Sequence, residues 1–373
     1  MISKRNNTLD CSVRLDNLID KHHSSVWLLF TTVILKNCNS NIKLPLVAHR
    51  FGKLILVTLA TLLLTLTVSA KAQDKYPDKP IRVIVPFPAG GINDNIARLI
   101  MQKLGESMDS AFLIDNRPGA GGTMGTAMAA RSVPDGYTLL LGAASTIAVA
   151  PSMYTNPGYV PGKDFMAVGG LASVPSVLLT AKGDQFKRLQ DLATAAKARP
   201  GALTFGSAGS GSSQHIQMEL LKIQLNLDLL HVPYKGGAPA MADLISGQID
   251  FLLEPLPTAM PQMKSKRLTA LALSTNARLK TLPDVPTFAE SGVPDFLVTT
   301  WFGLFAPTHT PLTIIHQLEA GLNKVLKDPA LVKIMNDRGI DPMPMSSQDL
   351  KKYSAEEQKR WNTVVTQSGI QAN

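Results

Sequence analysis

The chain has 373 residues, of which 45% are hydrophobic and 17% charged, and this balance excludes a collagen-like, disordered or disulfide-dense protein. Its formal net charge is +9, but residues 1–72 hold 9 of the 37 Lys and Arg and only 3 of the 28 Asp and Glu. The remaining chain therefore carries 28 basic and 25 acidic residues, a net charge of +3. Such a small charge gives no support for nucleic-acid binding through a broad basic surface.

Residues 1–72 form an N-terminal extension that ends in a predicted signal peptide. Arg50 and Lys53 precede an uncharged stretch over 54–70, and Ala70 and Ala72 form a small-x-small cleavage site. We predict cleavage near Ala72 and export to the periplasm. A retained membrane anchor is the alternative, but 17 uncharged residues fall short of the ~20 that span a bilayer. We also expect translation to start near 44–47, because a signal peptide normally begins shortly before its basic region.

Cysteine and histidine usage argues against metal and thiol chemistry. Both cysteines, Cys11 and Cys38, fall in the segment that cleavage would remove, so the mature chain has no thiolate nucleophile and no disulfide. None of its histidines has the spacing of a motif such as H-E-x-x-H. These histidines are His215, His231, His309 and His316. We therefore expect no metal and no cofactor.

Beyond residue 73, short apolar runs typical of buried strands alternate with segments of helical periodicity. Strands are predicted over 81–85, 112–114, 137–141, 177–180, 203–205, 229–232, 249–253 and 301–305. Helices are predicted over 92–104, 189–198, 213–225, 238–246, 312–326 and 347–366. This alternation predicts parallel α/β sheets, and roughly 300 residues are too many for a single core, so we expect two domains.

The loop PFPAGGIND, residues 86–94, lies between a predicted strand and a predicted helix. Its two prolines stiffen the turn, and Gly90 and Gly91 remove Cβ atoms where a ligand could approach backbone N–H groups. The positive end of the helix dipole then faces the same space, which suits an anion. An ordinary strand-to-helix turn with Asp94 as helix cap is the alternative that the composition leaves open.

A second loop, GSAGSGSSQH over 206–215, has the same construction and adds serine hydroxyls. A flexible linker has a similar composition, but linkers rarely lie between a strand and a helix. Two anion-friendly helix starts, one in each half of the chain, predict a ligand cleft between two domains.

One further segment resembles an enzyme motif, and a motif typical of serine hydrolases is absent. PGAGGTMG, residues 118–125, resembles a dinucleotide fingerprint, but Met124 stands where the third glycine belongs, so a packing role is favoured. The serine-rich loop contains no G-x-S-x-G nucleophile elbow. An exported hydrolase with Ser210 or Ser212 as nucleophile and His215 as base remains the rival to a binding protein.

Seven segments, in order along the chain, resemble the Bug, or TctC-type, family of periplasmic receptors associated with tripartite tricarboxylate transport. They are YPDKPIRVIVPFPAGG (76–91), NRPGAGG (116–122), PDGYTLLLG (134–142), GSAGSGSSQH (206–215), HVPYKGGAPAMADLISGQID (231–250), LPDVPTFAESG (282–292) and WFGLFAP (301–307). The resemblance covers essentially all of 76–370. It implies a type II periplasmic-binding-protein fold, with two doubly wound α/β domains joined by a two-stranded hinge and no enzymatic activity.

By this resemblance, domain 1 takes 73–172 plus 300–373 and domain 2 takes 173–299. The family would hold a small carboxylate largely through backbone amides, hydroxyls and water. The positions implied here are Phe87, Ala89, Gly90, Gly91, Asp94, Ser145, Thr146, Ser207, Ser210, Ser212, Tyr234 and Lys235. The implied partners are membrane permease subunits of a tripartite transporter or, for an orphan receptor, a membrane sensor protein, and the receptor itself is expected to be a monomer.

Two residues depart from the family pattern. Ile92 occupies a position where the family often has a small residue, and a larger side chain there would narrow the cleft. Glu254 stands where many relatives are expected to have Asp; it follows a predicted strand and could point into the cleft.

Overall fold

The computed structural model describes residues 76–370. The predicted signal peptide, its cleavage near Ala72 and the expected start near 44–47 lie outside these residues and stay predictions. Within 76–370, no helix combines the length and the apolar character needed to cross a lipid bilayer.

The first part of the fold alternates strands and helices, as predicted. Its elements are β1 (Ile81–Val85), α1 (Ile92–Met108), β2 (Phe112–Asn116), α2 (Thr123–Ala130) and β3 (Thr138–Ala143). A π-helical turn at Ala144–Val149 continues into α3 (Ala150–Met153), and α4 (Pro161–Asp164) precedes the long strand β4 (Phe165–Thr180). β1 is a β-branched run with four of its five residues buried, which is the pattern of a strand covered on both faces.

The second part continues the alternation before the chain returns to the first. Its elements are α5 (Leu189–Ala198), β5 (Thr204–Ser207), α6 (Ser213–Leu225), β6 (Leu230–Pro233), α7 (Gly237–Ile245), β7 (Phe251–Pro255), α8 (Leu256–Lys264) and β8 (Thr269–Leu273). The returning elements are β9 (Thr299–Pro307), α9 (Leu312–Val325), α10 (Pro329–Asp337), β10 (Asp341–Pro342) and α11 (Ser347–Ser368). The predicted bounds of α5 and α6 are confirmed residue for residue.

The strands are ordered β2-β1-β3-β9-β4-β7-β5-β6, with β8 and β10 also paired to β4. The two outer groups are parallel as predicted, since β1 pairs in parallel with β2 and β3, and β5 does so with β6 and β7. The prediction of purely parallel sheets is wrong at the centre, where β9 and β4 pair antiparallel with each other and with β3 and β7. One central strand leaves the first part and the other returns to it, so they run in opposite directions.

β4 links the two parts of the sheet. Its residues 165–175 pair with β9, whereas residues 176–179 pair with β7. At the change of partner, the Ser176 N–H donates to the Ser274 hydroxyl at 2.8 Å, and that hydroxyl donates to the Val298 carbonyl at 2.6 Å. These buried bonds tie together the two points where the chain passes from one part of the sheet to the other.

Only the last four residues of β4 were predicted, because glycines and a proline interrupt its apolar pattern. Gly170 has a packing reason: a Cβ there would lie 2.4 Å from the carbonyl oxygen of Met343, so the segment that follows β10 can approach β4 here only at a glycine. Helix α8 was also missed, since it contains Pro257 and Pro261, residues that normally argue against a helix interior.

The C-terminal helix α11 packs against β4 and α6 and so contacts both parts of the sheet. Its Glu357 is buried, and one carboxylate oxygen accepts the indole N–H groups of Trp301 at 3.1 Å and Trp361 at 2.9 Å. Both tryptophans are fully buried, so this carboxylate satisfies two polar groups that water cannot reach.

Candidate functional site

A cavity of about 540 Å³ lies at the carboxyl ends of β1, β5 and β7. Such a position, where strands of an α/β sheet give way to helices, is the usual place for a ligand. The two loops singled out in the sequence both reach it, and so do the starts of α7 and α8. The cavity lining includes Phe87, Ala89, Gly90, Gly91, Asn93, Ser145, Ala208, Ser212, Gln214, Lys235, Gly236, Gly237, Ala238, Glu254, Thr258 and Thr300.

The first loop ends at α1 without any side chain capping the helix. Its cap residue is Gly91, which has no side-chain acceptor, so the first N–H groups of α1 are free of a side-chain partner at the cavity. Gly90 has φ of +81°, a left-handed conformation that favours glycine. The sequence thus places a helix start with unpaired donors at the cavity wall, the arrangement that binds anions.

Asp94 holds this loop from beneath. Its carboxylate accepts the Gly90 N–H at 3.0 Å and the Arg98 Nε–H at 2.9 Å. Burial alone would raise the pKa of Asp94, but the hydrogen bonds from Arg98 and Gly90 outweigh it and lower the pKa below its usual range. The alternative in which Asp94 caps the helix is therefore wrong; Gly91 is the cap residue.

The PGAGGTMG segment packs under the same loop, as predicted for it. A Cβ on Gly122 would lie 3.0 Å from the Phe87 ring and 2.7 Å from the Thr146 methyl group. A Cβ on Gly125 would lie 2.9 Å from the Pro86 Cα atom. These glycines allow the close approach that positions Phe87 at the cavity.

The second loop is internally bonded. The Ser212 hydroxyl caps α6 by accepting the His215 N–H at 3.4 Å, and the Gly211 N–H donates to His215 Nδ1 at 3.1 Å. The Ser207 hydroxyl lies 2.7 Å from His231 Nε2 and accepts the Gly209 N–H at 3.1 Å. Most polar groups of this loop therefore already have partners within the protein.

Two histidine rings stack behind the second loop. The His215 and His231 ring centroids are 3.8 Å apart and the planes are nearly parallel. Burial, with smaller contributions from His231 and Lys222, lowers the pKa of His215 to about 3. Burial and Lys222 lower the pKa of His231 to about 4. Both rings are neutral at neutral pH.

Glu254, at the end of β7, lines the cavity and is only 3% exposed. Gln214 Nε2 donates to its Oε2 at 2.8 Å, and the Thr258 hydroxyl contacts its Oε1. Burial raises the pKa of Glu254 to about 7, against the opposing effect of these two hydrogen bonds. None of the ion pairs found between residues 76 and 370 includes it.

Seven of the twelve predicted site residues line the cavity together. They are Phe87, Ala89, Gly90, Gly91, Ser145, Ser212 and Lys235. They come from the first loop, the turn after β3, the second loop and the turn before α7. Ligand contact by each of them stays a prediction.

The other five lie behind the cavity wall rather than on it. Asp94 supports the first loop as described, and the buried Thr146 hydroxyl bonds to the Ala143 backbone at 3.2 Å. Ser207 is fully buried against His231, and the Ser210 carbonyl accepts the Tyr154 hydroxyl at 3.1 Å. The Tyr234 hydroxyl donates to Asp243 at 2.7 Å. Direct contact with a ligand stays a prediction for these five, and supporting roles account for their geometry.

Several cavity residues were missed by sequence reasoning. They are Asn93, Gln214, Gly237, Thr258 and Thr300. Asn93 is only 9% exposed, and its Oδ1 has no hydrogen-bond partner among the described residues. It lies inside the quoted motif, so its place in the first turn of α1 could have identified it. Thr258 and Thr300 belong to segments that carry no recognisable local signal.

The geometry argues against the hydrolase. The one hydrogen bond between Ser212 and His215 joins the His215 backbone N–H to the Ser212 hydroxyl and does not involve the imidazole ring. The lone pair of His215 Nδ1 already accepts the Gly211 N–H. The Ser207 hydroxyl does contact the His231 imidazole, as a catalytic pair would. However, Ser207 is fully buried and does not line the cavity. Within 76–370, no group of three or more His, Cys, Asp or Glu residues is arranged to hold a metal ion.

Comparison with known proteins identifies the family. The family model described as the tripartite tricarboxylate transporter family receptor, TctC, matches residues 96–370. The chain belongs to this family. It is 35% identical over 332 residues to the UPF0065 protein in the tcbD-tcbE intergenic region of Pseudomonas sp. strain P51, covering 89% of this chain and 98% of that one. It is 36% identical over 297 residues to BugT of Bordetella pertussis, covering 79% and 91%.

Solved structures agree with this assignment. Rpa4515 of R. palustris with adipate has a TM-score of 0.76 and 33% identity, covering 79% of this chain and 99% of that one. The periplasmic binding protein BugD has a TM-score of 0.74 and 33% identity, with the same coverage. MatC of Rhodopseudomonas palustris with bound malate has a TM-score of 0.73 and 32% identity, covering 78% and 100%.

These matches fix the fold class of this TctC-family protein. It has the type II periplasmic-binding-protein fold, with two α/β domains joined by a two-stranded hinge, as the resemblance implied. The family consists of periplasmic solute-binding receptors, which are not enzymes, so the hydrolase hypothesis is wrong.

Proposed function

We propose that this protein captures a small carboxylate in the 540 Å³ cavity and delivers it to the membrane permease of a tripartite tricarboxylate-type transporter. The observation that carries the proposal is the uncapped start of α1 at the cavity wall, where Gly90 and Gly91 leave the backbone open to a ligand. Adipate and malate in the structures of two relatives support the same ligand class.

Several contacts must contribute, because micromolar affinity corresponds to about 8 kcal/mol and one helix start supplies only ~0.3–2 kcal/mol. Six of the seven predicted residues that line the cavity are our main candidates for these contacts, and Ser212 contributes least because its hydroxyl already caps α6. Lys235 is the only cationic side chain among all the lining residues of this cavity within the described chain. Amides and hydroxyls therefore provide most of the recognition.

The proposed mechanism is closure of two domains around the ligand. We propose the boundaries 73–172 plus 300–373 for domain 1 and 173–299 for domain 2, since β4 changes partner at residue 176 and β9 begins at Thr299. Ligand would stabilise the closed state by touching loops from both domains. The bound, monomeric receptor would then dock on permease subunits or, as an orphan receptor, on a membrane sensor.

Export is part of the proposal. The signal peptide predicted to end near Ala72 would deliver the receptor to the periplasm. N-terminal sequencing of the exported protein is expected to begin directly after Ala72. A retained hydrophobic segment over 54–70 would contradict it.

Thermal-shift titration with dicarboxylates, tricarboxylates, aromatic acids and acidic amino acids tests ligand capture. A true ligand at 100 times its dissociation constant adds about 2.7 kcal/mol to the stability of the protein. Gly90→Val should abolish this shift, because valine disfavours the φ of +81° and fills the space over the helix start.

Gly247→Val is the matched control. Gly247 has φ of +78° and open space around its Cβ position, but it does not line the cavity. It should carry the same backbone strain and keep the ligand shift. Equal calorimetric affinity in the wild type and Gly90→Val would refute the assignment of the first loop.

A further inference from the structure

The cavity wall carries few charged side chains, and one of them is a carboxyl group. Of all residues that line it in the described chain, only Lys235 and Glu254 have titratable side chains. Lys235 is exposed at the rim, whereas Glu254 is buried in the wall. An ionised carboxylate at that position would repel an anionic ligand in a low-dielectric space.

Hydrogen-bond donors around Glu254 fit a neutral carboxyl group. The Thr258 hydroxyl has one hydrogen, yet it contacts both Glu254 Oε1 and the Pro255 carbonyl, the latter at 2.8 Å. Both contacts are satisfied when Thr258 donates to Pro255 and accepts an O–H from Glu254. Gln214 then donates to the other carboxyl oxygen at 2.8 Å. Every polar atom of the cluster has a partner without a cation.

The groups that face Glu254 do not supply a compensating charge. On α6, Gln214 is neutral, and the neighbouring His215 has its pKa lowered to about 3 by burial. Val177 of β4 pairs with Glu254 in the sheet, and α8 contributes only Thr258. Across the cavity, Asp94 is held in its ion pair with Arg98.

Glu254 lies beside a second helix start. A Cβ on Gly237 would be 3.5 Å from Glu254 Oε1, and Gly237 opens α7, whose cap residue Gly236 offers no side-chain acceptor. Gly236, Gly237 and Ala238 all line the cavity. Besides the start of α8, where Pro257 lacks an N–H, the cavity has two helix starts without a side-chain cap, at α1 and α7, whereas Ser212 caps α6. Two such starts suit a ligand with two anionic ends.

We propose that Glu254 determines specificity for dicarboxylates by donating its carboxyl O–H, turned away from Thr258, to a second ligand carboxylate at the start of α7, while the Thr258 hydroxyl turns its hydrogen from the Pro255 carbonyl to Glu254 Oε1. This inference rests on the proposed function. It adds that the ligands are dicarboxylates and that Glu254 is protonated in the complex. The proton stays on Glu254 in the complex, so protein molecules ionised at Glu254 must take up one proton when they bind.

Calorimetric titration between pH 6 and pH 9 tests this role, with malate and adipate compared with lactate and hexanoate. Because Glu254 titrates near pH 7, wild-type affinity for the dicarboxylates should fall towards tenfold per pH unit above pH 7, about 100-fold by pH 9. The Glu254→Gln variant keeps a neutral donor, so it should bind the dicarboxylates with little dependence on pH. Glu356→Gln, a change on the exposed side of α11, should keep the wild-type slope.

Three results would overturn the proposal. One is wild-type affinity that rises with pH together with loss of binding in Glu254→Gln, because Glu254 would then be an ionised acceptor for a cationic group. The second is an equal pH slope in the wild type and Glu254→Gln. The third is that lactate and hexanoate bind as tightly as malate and adipate.

A ligand-free measurement separates this proposal from the proposed function. The infrared spectrum of the wild type at pH 6 should contain a protonated-carboxyl band that Glu254→Gln lacks. If no carboxylate binds but the band is present, the proposed function fails while the neutral state of Glu254 stands, and the specificity role falls with the function. If the band is absent, Glu254 is ionised and the proposal is overturned, whatever the receptor binds.

Discussion

The two glycine-containing loops at the cavity have similar sequences but different uses of their hydrogen-bonding groups. In the first loop, over 86–94, the helix start has no side-chain cap, and the Asp94 carboxylate supports the loop by accepting the Gly90 N–H. In the second, over 206–215, Ser212 caps α6, and Ser207 and His215 bond to the loop backbone. The first loop leaves the N–H groups at its helix start without a side-chain partner, whereas the second loop bonds several of its N–H groups within itself.

This difference teaches that composition does not reveal where a donor points. Serine hydroxyls made the second loop look richer in ligand contacts, yet two of the four, those of Ser207 and Ser212, bond to the backbone of the loop itself. Short polar side chains readily form hydrogen bonds with nearby backbone groups. The N–H groups of a serine-rich turn are therefore often bonded within the turn and unavailable to a ligand. Glycine has no side chain with which to do so. The following predictions test this contrast, starting with the largest effect.

Acid should destabilise the second loop through its histidine pair. The pKa values of His215 and His231 are lowered to about 3 and about 4, below the 6.5 of an unfolded chain. The unfolded chain therefore binds more protons between pH 6.5 and pH 4, and stability falls as pH falls through that window, by on the order of 5 kcal/mol for the pair. Denaturant titrations at several pH values in the wild type and His231→Gln measure it. An unchanged pH profile in the variant would contradict the assignment.

Removing the charge beneath the first loop should weaken ligand binding strongly. In Asp94→Asn, the Gly90 N–H and Arg98 lose a charged acceptor, and a hydrogen bond to a charged group is worth about 1.5–3 kcal/mol. Arg98 is half exposed, so we expect only a small loss of stability but an affinity lower by about 10- to 100-fold. Calorimetry with the ligand found by thermal shift measures the affinity. Asp243→Asn, which alters the partner of Tyr234, is the control and should change the affinity less.

Loss of the cap in the second loop should affect stability more than binding. Ser212→Ala removes the acceptor for the His215 N–H, and such a cap is worth about 1 kcal/mol. We expect a lower melting temperature with less than a threefold change in affinity. If affinity falls tenfold while stability is unchanged, the Ser212 hydroxyl contacts the ligand and the contrast between the loops is wrong.

The smallest effect is expected at Ser210. Its backbone carbonyl is bound by Tyr154, but its side chain does not line the cavity. Ser210→Ala should change neither the free energy of unfolding nor the affinity by more than about 0.5 kcal/mol, the usual range for such a position. A larger loss of affinity would place the Ser210 hydroxyl in the complex.

Local sequence signals predicted most of the regular structure. Helices α5 and α6 were placed residue for residue, because each has a periodic apolar face and a clear stop at Pro200 or at Asn226. β1 was recognisable as a run rich in β-branched residues that stops before Pro86. Most of β4 was not recognisable, because Gly170 is needed for close packing against Met343, which lies almost 175 residues away in the sequence.

The candidate site was predictable to a similar extent. Phe87, Gly90 and Gly91 could be found because a stiff glycine turn before a helix suits an anion and matches a family segment, and all three line the cavity. Thr146 and Ser207 share the residue types of a binding site, but packing directs their hydroxyls into the protein. Side-chain direction in a turn depends on neighbours that are distant in sequence.

By itself, the sequence determined the order of most strands and helices and the position of the first loop, because both follow from contacts between residues close in the chain, and its seven ordered segments indicated the family. Only the tertiary structure decided that β4 and β9 run antiparallel through the centre, that the second loop is self-bonded, and that Glu254 lies buried beside the start of α7. Burial and hydrogen-bond partners arise when segments far apart in sequence pack together, and they govern whether a carboxyl group is charged.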